Sequence, residues 1–256
     1  MKLHAGNNVI EKSGNFEESK FSIEASSKAF FILSDGLYSN KILAVIRELS
    51  TNAYDSHVDA GKKNVPFDLH LPTALNPVFF IRDYGTSMNH EDCMQLYTTY
   101  FRSTRNNSND AVGCLGLGSK SPLAYTDSYT VEAFLNGEKR VYSGFKSDSG
   151  EPEFVPLETM TTDEPNGIKV TVPVRSMDIE KFRNISQSFY RHFKVKPQTN
   201  IKIDMQMPEA ILASDDNSWA FHDCDDNFVV MGQVAYKLGV SELVEMFTGE
   251  ISDFVY

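Results

Sequence analysis

Residues 48–55 read ELSTNAYD, and the fold follows from how that stretch is read. Glu48, Asn52 and Asp55 recur at spacings of four and three, which is the period of a helix. At about 100° per residue, with Glu48 at zero, Asn52 falls at about +40° and Asp55 at about −20°. The apolar Ile42, Val45, Ile46, Leu49 and Ala53 gather at roughly +60° to +160°. The spacing therefore predicts a helix over 39–57 with a polar stripe beside its core-facing side. Such a stripe is either a site or an ordinary solvated face, and the neighbouring segments decide which.

Upstream, residues 27–34 form a second helical stretch, which Gly36 separates from the first, and FSIEA (21–25) alternates as a short strand. Downstream, PFDLHL (66–71) and PVFFIR (77–82) read as strands, the second running straight into Asp83-Tyr84-Gly85. STRNNSND (103–110) is polar and loop-like, and a glycine cluster follows it. SYTVEAFLN (128–136) and EKRVYSGFK (138–146) read as a hairpin about Gly137, with IKVTVPV (168–174) as a further strand. MDIEKFRNISQSFYRHF (177–193) is helical, with Ile179, Phe182, Ile185 and Phe189 on one side. Runs of strands with segregated helices predict an α+β two-layer sandwich: a mostly antiparallel mixed sheet with helices on one face. The division expected is one domain over 1–198 and an acidic region over 199–256, where the hairpin-like VVMGQVAYKLG begins another unit.

The 256 residues are 41% hydrophobic, with 18 Phe and 11 Tyr, enough for a sizeable core. Of the formal charge of −11, nine units lie in residues 201–256, which hold eleven Asp and Glu against two Lys. A nucleic-acid partner is not expected there, because a phosphate backbone calls for clustered Lys and Arg. Cys93, Cys114 and Cys224 are widely spaced and form no CxxC pair, which suits a reducing compartment. His222 and Cys224 in AFHDCDD lack the second pair of ligands that a zinc site needs. No run approaches the roughly 20 apolar residues of a membrane span.

Three segments carry chemistry in order: ELSTNAYD, RDYGTSM (82–88) and VGCLGLGSK (112–120). Each alone is a common turn or helix pattern; together they resemble the GHKL, or Bergerat-fold, ATPases, the family of gyrase B, heat-shock chaperones, sensor histidine kinases and MutL. The resemblance covers roughly residues 20–175. It is strongest to one member group, the RIIA proteins of T-even-type bacteriophages, through RELSTNAYDSH, RDYGTSM and especially GLGSKSPLAYTD.

The resemblance implies ATP and Mg²⁺ as ligands. Glu48 matches the general base that activates water against the γ-phosphate, and Asn52 the amide that gives an oxygen to Mg²⁺. Asp55 would face the nucleotide's edge of the pocket. Asp83 matches the acceptor of the adenine amino group, Gly85 the close approach to the base, and Met88 the apolar contact with the ring. Gly113, Gly116 and Gly118 would cradle the phosphates through backbone N–H groups, with Ser119 and Lys120 reaching phosphate oxygens and Pro122 opening the next short helix. Arg102 and Arg105 fall in the segment that corresponds to the ATP lid.

Two positions depart from the family pattern. Ser87 stands where the second motif has its second glycine, and Ile168 stands where a threonine follows the glycine of the last motif. The family often completes its site with a lysine from a following transducer domain, which residues 199–256 barely begin, so weak or absent hydrolysis is expected. The resemblance further implies an ATP-driven switch acting during infection, in lysis control and escape from prophage exclusion. Its setting would be the cytoplasm of the infected bacterial cell, with peripheral attachment to the inner membrane, a host or phage protein as partner, and homodimerisation left open. The alternative is a non-hydrolysing interaction module that keeps the fold.

Overall fold

The long helix begins at a cap that the sequence writes in advance: the Asn40 side chain accepts the Leu43 N–H at 3.0 Å. It ends at Gly61, whose φ of +69° allows Lys62 N–H to reach the His57 carbonyl at 2.7 Å and Gly61 N–H to reach Val58 at 3.0 Å. The structure, a computed structural model, describes residues 26–34, 36, 38–100, 118–206, 210–213, 220–222, 228–231 and 233–237. The strand expected at 21–25, the polar stretch 103–110, Gly113 and Gly116 lie outside these residues.

In chain order the helices are α1 (Ser27–Ser34), α2 (Lys41–Asp59), α3 (His90–Thr98), α4 (Pro122–Tyr125) and α5 (Ile179–Tyr190). A 3₁₀ turn, Gly118–Lys120, leads into α4. The main strands are β1 (Asp68–His70), β2 (Val78–Arg82), β3 (Ser128–Leu135), β4 (Glu138–Lys146), β5 (Pro152–Thr161), β6 (Gly167–Pro173) and β7 (Gln198–Thr199). They form one seven-stranded sheet in the order β5-β4-β3-β6-β2-β1-β7. Every pairing is antiparallel except β1 with β7, so the fold is α+β with a mixed sheet. The β3–β4 hairpin turns at Asn136-Gly137, whose φ values of 52° and 83° suit the twist of a tight hairpin.

The core lies between α2, α5 and one face of the sheet. Val45, Ile46, Leu49 and Ala53 of α2 meet Phe79, Ile81, Val131, Ile168, Val170 and Val172, with Phe182 and Phe189 from α5. Each large apolar side chain fully buried there contributes roughly 2 kcal/mol. On the opposite face, Glu132 pairs with Lys169 at 2.7 Å and with Lys139, while Lys169 also lies over the Phe80 ring. Alternation along the strands thus separates an apolar helix-covered side from a charged one.

Two short hairpins follow, β8 (Ala210–Ala213) with β9 (Ala220–His222), and β10 (Phe228–Met231) with β11 (Val234–Lys237). The second is the hairpin expected in VVMGQVAYKLG. It is tied to the main body: Gln233 Oε1 accepts the Lys194 N–H at 2.7 Å, and Val234 joins the core. Among the described residues no helix is long and apolar enough to cross a membrane.

Candidate functional site

The first and third sequence segments meet. A Cβ placed on Gly118 would lie 2.6 Å from Glu48 Oε2 and 3.5 Å from its Cβ and Cδ, so the 3₁₀ turn sits directly against this side chain, and a larger residue there would displace the carboxylate end. Arg47 occupies the other oxygen, donating to Glu48 Oε1 from Nε at 3.2 Å and from a terminal guanidinium nitrogen at 2.9 Å. Glu48 is thereby oriented with Oε2 on the Gly118 side. Asn52, one turn further along α2, is exposed, and Asp55 is buried. The helical wheel does not foresee this, because Asn52 lies nearer the core direction than Asp55; what surrounds the helix buries Asp55, not its own pattern.

The second segment is fastened to the same helix. Asp83 is buried, and its Oδ1 accepts from the Ser56 hydroxyl at 3.0 Å and from Gly85 N–H at 2.9 Å. Its Oδ2 accepts from Ile168 N–H at 3.1 Å, while Asp83 N–H donates back to the Ile168 carbonyl at 2.9 Å. Burial pushes the Asp83 carboxyl above the usual carboxylate range, opposed by the donors at Gly85, Ser56 and Ile168 and by His57. Gly85 is forced by packing, since a Cβ there would fall 2.2 Å from Ser56 Oγ. Met88 is half-buried against the core.

The two departures from the family pattern take up definite places. Ser87 adopts a φ of 115°, in the region glycine favours, and its hydroxyl donates to the Gly167 carbonyl at 3.0 Å. Gly167, with φ at 143°, lies where a Cβ would be 2.0 Å from the Asp83 carbonyl oxygen. Ile168 offers its backbone, not a hydroxyl, to Asp83. Beneath them the buried Arg82 guanidinium donates to the Asp83 carbonyl and lies between the Phe134 ring at 4.0 Å and the Tyr84 ring at 4.8 Å.

Ser119 and Lys120 are both buried. Ser119 Oγ donates to the Leu96 carbonyl at 3.4 Å. Lys120 Nζ donates to the carbonyls of Leu96 and Thr99, each at 2.6 Å, at the C-terminal end of α3, where a cation also meets the helix dipole favourably. Its ammonium is pushed down to about 8 by burial.

Two contributors were missed in the sequence. Ser56 and His57 follow Asp55 directly, and together they hold the 83–86 turn. Ser56 Oγ accepts Thr86 N–H at 3.1 Å, and the His57 ring, with Nδ1 at 2.8 Å from the Val65 carbonyl, accepts Tyr84 N–H on Nε2 at 2.7 Å. A signal existed for Ser56, which falls at about +80° on the wheel, a polar group inside the apolar arc. Among the described residues no three His, Cys, Asp or Glu side chains converge on a metal position. A Mg²⁺ that keeps most of its waters and binds phosphates needs few protein oxygens, and the exposed Asn52 amide, one helical turn from Glu48, suits that donor set. Comparison with protein-family models and with curated proteins returns no match for the chain.

Proposed function

We propose that this chain is a GHKL-type ATP- and Mg²⁺-binding domain, a weak ATPase or an ATP-driven switch. The observation that carries the reading is the convergence on α2, which holds the first segment, of the two others: Gly118 against Glu48, and Asp83 fastened to Ser56. In this reading Asp83 accepts the amino group of adenine, Gly118 and its neighbours approach the phosphates, and Asn52 holds Mg²⁺ through its amide oxygen. The cation, when bound, neutralises phosphate charge, and phosphoryl transfer needs mainly that and positioning. Glu48 Oε2, held by the Arg47 pair on Oε1, takes the proton of the attacking water.

The wider role rests on the sequence resemblance to RIIA proteins: lysis control and escape from prophage exclusion in the infected bacterial cell, through a host or phage protein partner. A non-hydrolysing interaction module is the second reading, favoured by one observation: Lys120 is bonded to α3 carbonyls and not held toward open space.

Calorimetric titration with ATP and Mg²⁺ tests the proposal. Binding in the micromolar to millimolar range is expected, and no heat at millimolar nucleotide refutes it. Glu48→Ala is expected to keep that binding and to lower any phosphate release by about 10²-fold or more; equal turnover in this variant would remove Glu48 from the chemistry.

A further inference from the structure

The base site, on the ATP-binding reading above, contains a hydroxyl, Ser56 Oγ, whose bond to Asp83 does more than hold the 83–86 turn. Ser56 Oγ accepts the Thr86 N–H at 3.1 Å, and a backbone N–H can only donate, so the hydroxyl's single proton is left for Asp83 Oδ1, 3.0 Å away. Gly85 N–H fills the second lone-pair position of the same oxygen at 2.9 Å. On the other oxygen, Ile168 N–H takes one position at 3.1 Å. An ionised carboxylate offers about four acceptor positions, and three are taken. The fourth lies on Oδ2.

We propose that Ser56 is a specificity-determining residue of the nucleotide site, which saturates Asp83 Oδ1 and leaves Oδ2 as a lone acceptor for a purine bearing an amino group at its 6-position. A purine with a carbonyl there would set acceptor against acceptor in a buried place, which is strongly disfavoured. The selection holds only while Asp83 stays a pure acceptor. Protonated, it would carry an O–H that can donate to a carbonyl. Burial favours that neutral form, and the donors Ser56, Gly85 and Ile168 oppose it. Of the three, only the Ser56 donor belongs to a side chain, so it is the one a substitution can remove. Gly85, packed where a Cβ would strike Ser56, holds the hydroxyl and the carboxylate in register. The charged and titratable neighbours of Asp83 are His57 from α2, Arg82 and Tyr84 from its own strand end, and Tyr97 from α3, none of which donates to its carboxylate oxygens.

The test compares ATP with inosine triphosphate, which replaces the 6-amino group by a carbonyl and places a proton on N1. Both are titrated with Mg²⁺ into the wild type, Ser56→Ala and Ser56→Thr, with thermal unfolding followed in parallel. The wild type is expected to prefer ATP, Ser56→Ala to lower that preference by about tenfold, and Ser56→Thr, which keeps the hydroxyl, to retain it. A role in folding alone would weaken both nucleotides together, so an unchanged ratio in Ser56→Ala, or a ratio lost in a folded Ser56→Thr, overturns the proposal. Wild-type protein that binds neither nucleotide overturns the ATP reading and this inference with it. Wild-type preference for ATP with an unaltered Ser56→Ala ratio overturns the inference alone.

Discussion

Lys120→Met is expected to stabilise the protein at pH 7 and destabilise it at pH 10, and both signs follow from the surroundings of one ammonium. The Lys120 side chain is buried, bonded to the Leu96 and Thr99 carbonyls, and pushed by burial from 10.5 to about 8. Between those values the unfolded chain holds a proton that the folded chain has released, so folding gains stability as pH rises. This contribution is complete above the unfolded value and is lost as pH falls through about 8. The displacement is worth about 3 kcal/mol at full strength, and about 2 kcal/mol once screening near the surface is allowed for. Methionine keeps all but the last atom of the side chain and removes the charge. It also deprives two carbonyls of their donor, at the end of α3 where Thr99 is exposed and water can substitute, which returns about 1 kcal/mol. The net effect is a gain of about 1 kcal/mol at pH 7, or roughly 2–4 °C in Tm, changing to a loss of about 1 kcal/mol at pH 10. Urea unfolding of both proteins at the two pH values measures it, since other titrating groups cancel in the difference. A variant less stable at pH 7, or a difference that does not move with pH, would show that the carbonyl bonds outweigh the burial of charge.

Two further substitutions probe the turn around Asp83. Ser87→Gly removes a non-glycine residue from a φ of 115° and loses the bond to Gly167; with strain of about 1–3 kcal/mol against that bond and the added chain entropy, a net gain of about 0.5–1 kcal/mol is expected in thermal unfolding. A loss of stability would mean that the hydroxyl bond dominates. Asp83→Asn sets an NH₂ group against the N–H of Gly85 or of Ile168 in either flip, so it is expected to cost about 1–3 kcal/mol as well as ATP binding. The burial of Asp83 works the other way: its raised carboxyl adds stability below the unfolded value near 3.8, which is lost as pH rises through the folded value, and the Asn protein should lack that slope. Acid titrations of stability that superimpose for the two proteins would refute the assignment.

The elements legible in the sequence are those whose signals are local. α2 carries a 3.6-residue apolar repeat with Asn40 and Gly61 at its ends, and the hairpin carries Asn136-Gly137. β5 was missed because EPEFVPLETMT reads as a proline-bearing, acidic connection. It is a strand because it lies at the sheet edge, where Pro156 removes no needed bond and a bulge at Leu157 absorbs the mismatch opposite Val141 and Tyr142. β7, two residues paired in parallel with β1, has no periodicity to detect. Within the site, periodicity aligned Glu48, Asn52 and Asp55 but not their burial, and the pairing of Glu48 with Gly118 came through the family resemblance, since no local pattern links residues so far apart. The direction of Lys120 depends on where α3 ends, which no short stretch encodes.

A lysine donating into the end of a helix is not by itself the mark of a site. Lys196 donates to the carbonyls of Tyr190, Arg191 and Phe193 at the end of α5, and burial lowers its ammonium too. The same device therefore serves plain structure elsewhere in this fold. Lys120 differs in company: two residues before it Gly118 lies against the Glu48 side chain, and at the strand end Asp83 is buried against the preference of its charge, Ser87 holds a glycine conformation and Gly167 tolerates no Cβ. Each of these opposes stability in a different currency: charge burial, backbone strain and lost packing. Single features of this kind occur elsewhere in the sheet, at Asn136 with a φ of 52° and at Gly144, where a Cβ would fall 2.3 Å from the Tyr129 ring; around Asp83 charge burial, a strained φ and a close glycine contact come together. If the proposed nucleotide site is right, stabilising substitutions should be easy to find at this end of the molecule and should weaken ATP binding, while equivalent changes around Lys196 should alter stability alone.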